Sequence, residues 1–195
     1  MPNSRCFLIG HRDTSSDILP SLTAEIERHI REQSITEFVV GQYGRFDRLA
    51  AHALYRCKTE YPGLTLTLLC AYHPAERAVI LPRGFDGFWY PAGLEQVPRR
   101  FAIQRANRLA VEQSEYLIAG LRHPGSCTAS LVRYALGRQR QGIAHRYPAP
   151  SAGWKPLPSS PLTPVPLLPC VSLATLPGVC YNNPHVHHPS QGGFP

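Results

Sequence analysis

Glu37-Phe-Val-Val-Gly-Gln-Tyr-Gly-Arg-Phe-Asp47, continued by Arg48-Leu-Ala-Ala-His-Ala-Leu-Tyr-Arg-Cys57, is the stretch that decides the fold. An apolar run, a glycine turn and a helical run follow one another without a gap. Strand, glycine turn and helix together make a helix N-terminus available to an anion, through unpaired backbone N–H groups and the helix dipole. Gly41 and Gly44 let a phosphate reach the backbone without meeting a Cβ. The expected ligand is therefore nucleotide-like.

Working outward, the same alternation continues in both directions. Arg5-Cys-Phe-Leu-Ile9, ending at Gly10, reads as a buried parallel strand. Ser15, Ser16 and Asp17 offer caps to a helix over Ile18–Gln33 that sets Leu22, Ile26, His29 and Ile30 near one face. The second helix spans Arg48–Tyr61 and closes at Pro62-Gly63, and Leu64–Cys70 is a third strand. Ala71–Pro98 carries four prolines, three glycines and Phe85, Phe88, Trp89 and Tyr90, which suits an irregular lid or binding loop. Arg99–Ser114 is helical, Glu115–Ala119 is a fourth strand, and His123–Thr128 turns into a helix over Ala129–Arg138. The class is α/β, a Rossmann-like three-layer sandwich on a mostly parallel sheet with right-handed crossovers. Ligands of such sheets lie beyond the carboxyl ends of the strands, where the turns holding Gly10, Gly41–Asp47 and Arg122–Thr128 converge. The sequence has no internal repeat.

Composition divides the chain in two. Residues 148–195 hold 12 of the 20 prolines and one charged side chain, Lys155, whereas residues 1–147 hold 19 Lys/Arg and all 13 Asp/Glu, a net +6 of the total +7. A domain over 1–147 is long enough for one solid core. The Pro-rich tail over 148–195 reads as extended or disordered, with a functional segment and a frameshifted or truncated end both left open. The basic balance fits phosphate ligands, with nucleic acid and a solvated basic face as alternatives. Six cysteines without CxxC spacing fit a reducing compartment. No apolar run is long enough to span a membrane and none stands behind a basic cap at the N-terminus, so a cytoplasmic protein is expected.

The residues that could carry chemistry sit at the three turns. Arg12 has the rigid fork that clamps a phosphate or carboxylate, and His11 beside it either contacts the ligand or satisfies the turn backbone. Asp47 either caps the helix or accepts from a ribose hydroxyl, since a capping carboxylate and a phosphate compete for the same N–H groups. Arg105 and Arg108 lie one helical turn apart, with Asn107 between them. Trp89 and Tyr90 either stack on a base or pack a loop. Ser126, Cys127 and Thr128 share a turn with His123, yet no nucleophile–base pair stands out, and no catalytic residue is assigned. His185-Val-His-His188 lacks a second ligand cluster, so no metal site is assigned either.

Gly10-His-Arg12, Val40-Gly-Gln-Tyr-Gly-Arg-Phe-Asp-Arg-Leu-Ala-Ala51, Tyr90-Pro-Ala-Gly-Leu-Glu-Gln-Val-Pro-Arg-Arg-Phe-Ala-Ile-Gln-Arg-Ala-Asn-Arg108 and Glu115–Ala119 with Arg122-His-Pro-Gly125 resemble the SLOG superfamily. Within it they resemble the YpsA-like branch, bacterial proteins grouped as a domain of unknown function. The resemblance runs from Arg5 to Arg138 and implies a Rossmann-like fold that binds nucleotides or nucleotide-derived ligands, ADP-ribose-like ones included. It implies that Gly10, Arg12, Gly41, Gly44, Asp47, Arg105, Asn107 and Gly125 form the pocket; His11 and Ser126 complete the candidate set. Its relatives include LOG phosphoribohydrolases, the DNA-uptake protein DprA and ligand sensors of antiviral systems. LOG enzymes carry PGGxGTxxE, and Pro124-Gly-Ser-Cys-Thr-Ala-Ser130 lacks the second glycine and the glutamate, the acid or base that N-glycosidic cleavage needs. The family's final apolar strand is also missing from Gly137–Arg146, which leaves a sheet edge expected to be unpaired. The functional expectation is non-catalytic binding or sensing of a nucleotide-class small molecule. An N-glycosidic hydrolase and a DNA-associated protein are the alternatives, and homo-oligomerisation is left open.

Overall fold

A computed structural model describes residues 4–140 and 167–168. Five strands run parallel: β1 (Arg5–Gly10), β2 (Glu37–Val40), β3 (Thr65–Leu69), β4 (Gly87–Trp89) and β5 (Tyr116–Gly120), in the order β4-β3-β2-β1-β5. The helices are α1 (Leu19–Gln33), α2 (Arg45–Glu60), α3 (Ala102–Glu112) and α4 (Cys127–Arg140). The α/β class and the Rossmann-like layering expected from the sequence are what the chain forms.

Both faces of the sheet are covered, which is why its strands read as unbroken apolar runs. Successive side chains leave opposite faces. Cys6 and Leu8 pack with Phe38, Val40 and Leu66 against Leu22 and Ile26 of α1 and Ala50, Leu54 and Cys57 of α2. Phe7 and Ile9 pack with Val39, Leu117 and Ala119 against Ala106 and Ala110 of α3 and Val132 and Ala135 of α4. Small alanines on α3 and α4 bring those helices close to the sheet.

Three differences from the sequence reading have local causes. First, α2 begins at Arg45 rather than Arg48, because Gly44 is its N-cap and Asp47, three residues on, folds its carboxylate back over the turn. Second, the stretch expected to be an irregular lid contains β4, which pairs Thr67↔Gly87 through Leu69↔Trp89 along β3. Asp86 seats it by accepting from the Leu66 amide at 2.7 Å and from Lys58 of α2. Third, the outer edge of β5 is not bare: Leu167–Leu168, here β6, pairs with it antiparallel. The rest of the Pro-rich segment, with His185-Val-His-His188, lies outside the described residues. Among the described residues no helix is long and apolar enough to cross a membrane, and no group of three or more His, Cys, Asp or Glu could hold a metal ion.

Candidate functional site

The chain builds β1, β2, β3 and β4 outward in one direction, then returns through α3 to place β5 on the other side of β1. The strand order reverses between β1 and β5, and ligands of open α/β sheets bind in the crevice outside the carboxyl ends at such a point. The turn after β1 holds Gly10, His11 and Arg12; the turn after β5 holds Arg122 to Ser126.

His11 ties the two turns together. Its Nδ1 lies 2.9 Å from the Arg122 amide nitrogen and 3.2 Å from the Gly120 carbonyl, and its Nε2 lies 2.7 Å from Ser126 Oγ. One ring nitrogen cannot serve both neighbours. The amide is an obligate donor at the shorter distance, so Nδ1 accepts from it and Nε2 carries the proton, donating to Ser126. Ser126 Oγ in turn donates to the His123 carbonyl at 2.8 Å and caps α4 by accepting from the Ala129 amide at 3.1 Å. Burial pushes the His11 pKa down, and so does the neighbouring His123, whose ring meets it edge-on at 5.1 Å; the imidazole is neutral at pH 7. With its proton committed to a carbonyl, the Ser126 hydroxyl is not paired with a base as an activated nucleophile would be.

The α2 end of the rim is built differently from the anion site that its sequence suggests. Asp47 Oδ2 accepts from the Tyr43 and Gly44 amides at 2.8 and 3.0 Å. The Arg45 amide donates to the Arg12 carbonyl at 3.1 Å, and the Phe46 amide to the His11 carbonyl at 3.4 Å. The donors that a phosphate would seek there are engaged by the protein itself. Burial raises the Asp47 pKa, opposed by the two amides and by the nearby Arg12 charge. Gly41 leaves room for this carboxylate, because a Cβ would stand 3.0 Å from Asp47 Oδ2; Gly44 leaves room for the Arg12 backbone, 3.3 Å away. Gly10 and Gly120 make room for the buried Phe46 ring, which a Cβ on either would meet at 2.2 and 2.5 Å. These four glycines shape the protein around itself.

The α4 end is open by comparison. A Cβ on Gly125 would meet nothing within 4 Å. The first helical amides, of Cys127 and Thr128, have no acceptor within the helix. Arg12 is exposed, and among the described residues its guanidinium forms no ion pair or hydrogen bond. Arg122 and His123 hold Asp13 across the crevice: Arg122 Nη1 donates to the Asp13 carbonyl at 2.9 Å, and His123 Nε2 stands 3.2 Å from Asp13 Oδ2. That pairing draws the Asp13 pKa down.

Of the ten candidate residues, His11 and Ser126 thus meet at the β1/β5 crevice with Gly125 on its open side, while Arg12, at the end of β1, lies against Gly44 with its charge near Asp47. Gly10, Gly41, Gly44 and Asp47 form the wall beside it. Arg105 and Asn107 sit on α3, exposed and half-buried, with no hydrogen bond to either turn among the described residues. Arg108 faces inward instead, bonded to Glu112 at 3.1 Å and stacked 4.1 Å over the Tyr134 ring. Trp89 packs onto the sheet face under Arg5, whose guanidinium lies 5.0 Å from its ring, while Tyr90 meets His73 edge-on. The His11–Ser126 link was not legible from the sequence, since 115 positions separate the two residues. Tyr43 and Tyr72 lie outside the candidate set, although each follows its strand by three residues, a spacing that marks them in the sequence. No protein-family model matches the chain, and no curated protein matches it.

Proposed function

We propose that the protein binds a nucleotide or nucleotide-derived anion, without chemical turnover, in the crevice between the carboxyl ends of β1 and β5. The observation that carries this reading is the open α4 N-terminus at the point of strand reversal, with the exposed Arg12 guanidinium, free of ion pairs among the described residues, at the end of β1 beside Gly44 and Asp47. Helix dipole, free amides and a forked cation act together on a phosphate there. Membership of the SLOG superfamily belongs to the same proposal and rests on the motif residues quoted above. So does a cytoplasmic location, which rests on cysteine usage. The inactive geometry of Ser126 and the absence from the Pro124–Ser130 turn of the glutamate that LOG enzymes carry favour binding over N-glycosidic hydrolysis.

The test is thermal unfolding of the full chain against AMP, ATP, NAD, ADP-ribose and cyclic dinucleotides. A ligand at 100 times its Kd stabilises by about 2.7 kcal/mol, a shift of several degrees that Arg12→Ala should abolish. A cooperative transition that no member of the panel moves would refute the reading. Release of free base from AMP or NAD would replace it with hydrolysis.

A further inference from the structure

We propose that Tyr72, with Arg99 and Tyr43, forms a base-stacking subsite at the carboxyl ends of β2 and β3 that takes the nucleobase of the bound nucleotide. The inference rests on the nucleotide reading and specifies how the far end of that ligand is held.

Tyr43 and Tyr72 each stand three residues beyond their strand and meet edge-to-face, with ring centroids 6.0 Å apart at 85°. Both rings are half-buried, their inner sides packed against the core under α3 and α4. The Arg99 guanidinium lies 5.2 Å from the centroid of the Tyr72 ring. Arg99 is exposed and, among the described residues, forms no ion pair, so its long side chain can lift and close again over a planar guest. An aromatic face roofed by a planar cation suits a nucleobase, because every base has a π face and arginine stacks on it in turn.

Position links this shelf to the phosphate end. Contacts run in a circuit around the rim: Tyr72 to Tyr43, Gly44 against the Arg12 backbone, His11 to Ser126, and Gln104 Nε2 of α3 to Cys127 Sγ at 3.7 Å. Gln104 lies five residues beyond Arg99, which closes the circuit. One side of it is the cationic lip and helix end, and the other is aromatic. Two strand spacings, about 10 Å, separate β1, whose turn carries Arg12, from β3, whose turn carries Tyr72, a span one nucleoside monophosphate can bridge. Stacking without base-edge hydrogen bonds tolerates any base and favours purines through their larger face.

The experiment is titration calorimetry on the full chain with AMP, GMP, CMP, UMP and ribose 5-phosphate. Nucleotides should bind wild type about tenfold or more tighter than ribose 5-phosphate. Tyr72→Leu should remove that advantage while leaving ribose 5-phosphate affinity within about twofold, and Tyr72→Phe should keep it. Arg99→Ala, at an exposed side chain, should lower nucleotide affinity about threefold at unchanged Tm, and it carries the test if Tyr72→Leu does not fold. Equal affinity of nucleotides and ribose 5-phosphate for wild type would overturn the subsite and leave the phosphate reading standing, as would base preference that survives both Tyr72→Leu and Arg99→Ala. Binding of neither class would overturn the nucleotide reading, and the subsite with it.

Discussion

Gly10→Ala separates packing from ligand contact. Gly10 pairs with Gly120 across β1 and β5, and the Phe46 ring covers both. An alanine Cβ at position 10 would fall 2.2 Å from Phe46 Cγ, 2.3 Å from Cδ2 and 2.8 Å from Cβ, on a side chain with 0 % exposure. Cβ atoms essentially never approach that closely, so the ring or the first turn of α2 must shift. Overpacking costs about 1–3 kcal/mol, and the clash with a ring that has no free space puts the cost near 3 kcal/mol or above. For a domain of this size that lowers Tm by about 10 °C. Phe46→Ala alone should cost about 3–5 kcal/mol. In the double variant the new methyl enters the vacated space, so the two costs should fall short of their sum by about 2 kcal/mol. Urea denaturation of the four proteins of the cycle reads these values directly. Independent, additive effects, or a Gly10→Ala protein as stable as wild type but deficient in nucleotide binding, would refute the packing role and return Gly10 to the ligand.

Other consequences follow from the same contacts. Asp47→Ala strands the Tyr43 and Gly44 amides and should cost about 2 kcal/mol, whereas Asp47→Asn, which still accepts, should cost less than half as much; equal losses by denaturant titration would remove the amide account. The His11 pKa is depressed in the fold, so the unfolded chain binds more protons near and below its ordinary value of 6.5. Stability is therefore full above that pH and falls as pH drops through the folded value, and Tm measured from pH 7.5 to 5 should show a loss that His11→Gln reduces. An identical slope in both proteins would exclude His11 as its source. Asp86→Ala frees the segment before β4 from the Leu66 amide and Lys58; a local loss of about 1 kcal/mol should raise proteolysis around Arg77–Arg83 about fivefold. Among the described cysteines only Cys127 is exposed, and burial pushes the Cys57 thiol up to about 11, so peptide mapping after brief alkylation should find Cys127 modified well before Cys6, Cys57 or Cys70.

The sequence by itself determined the layered α/β fold. Apolar runs such as Arg5–Ile9 and Glu37–Val40 carry local evidence for strands buried on both faces, and helices between strands impose parallel pairing through short-range geometry. Arg12, His11 and Ser126 were found as residues near glycine turns, because turn chemistry is also local. What the tertiary structure decided was how those turns use their donors. The Gly41–Asp47 stretch has the sequence of an anion site, yet one carboxylate and two carbonyls of the β1 turn engage its amides. The reason is that hydrogen-bond partners are chosen by proximity in space, and the Arg12 and His11 carbonyls lie some thirty residues away along the chain. β4 was hidden for the same kind of reason: three residues among glycines and prolines have no periodicity to read, and only the edge of β3 and the Asp86 anchor make them a strand. The link from His11 to Ser126 exists only once the strand order reverses at β1, and the contact of Tyr43 with Tyr72 only once β2 and β3 pair, since it is the sheet that brings those turns to one rim.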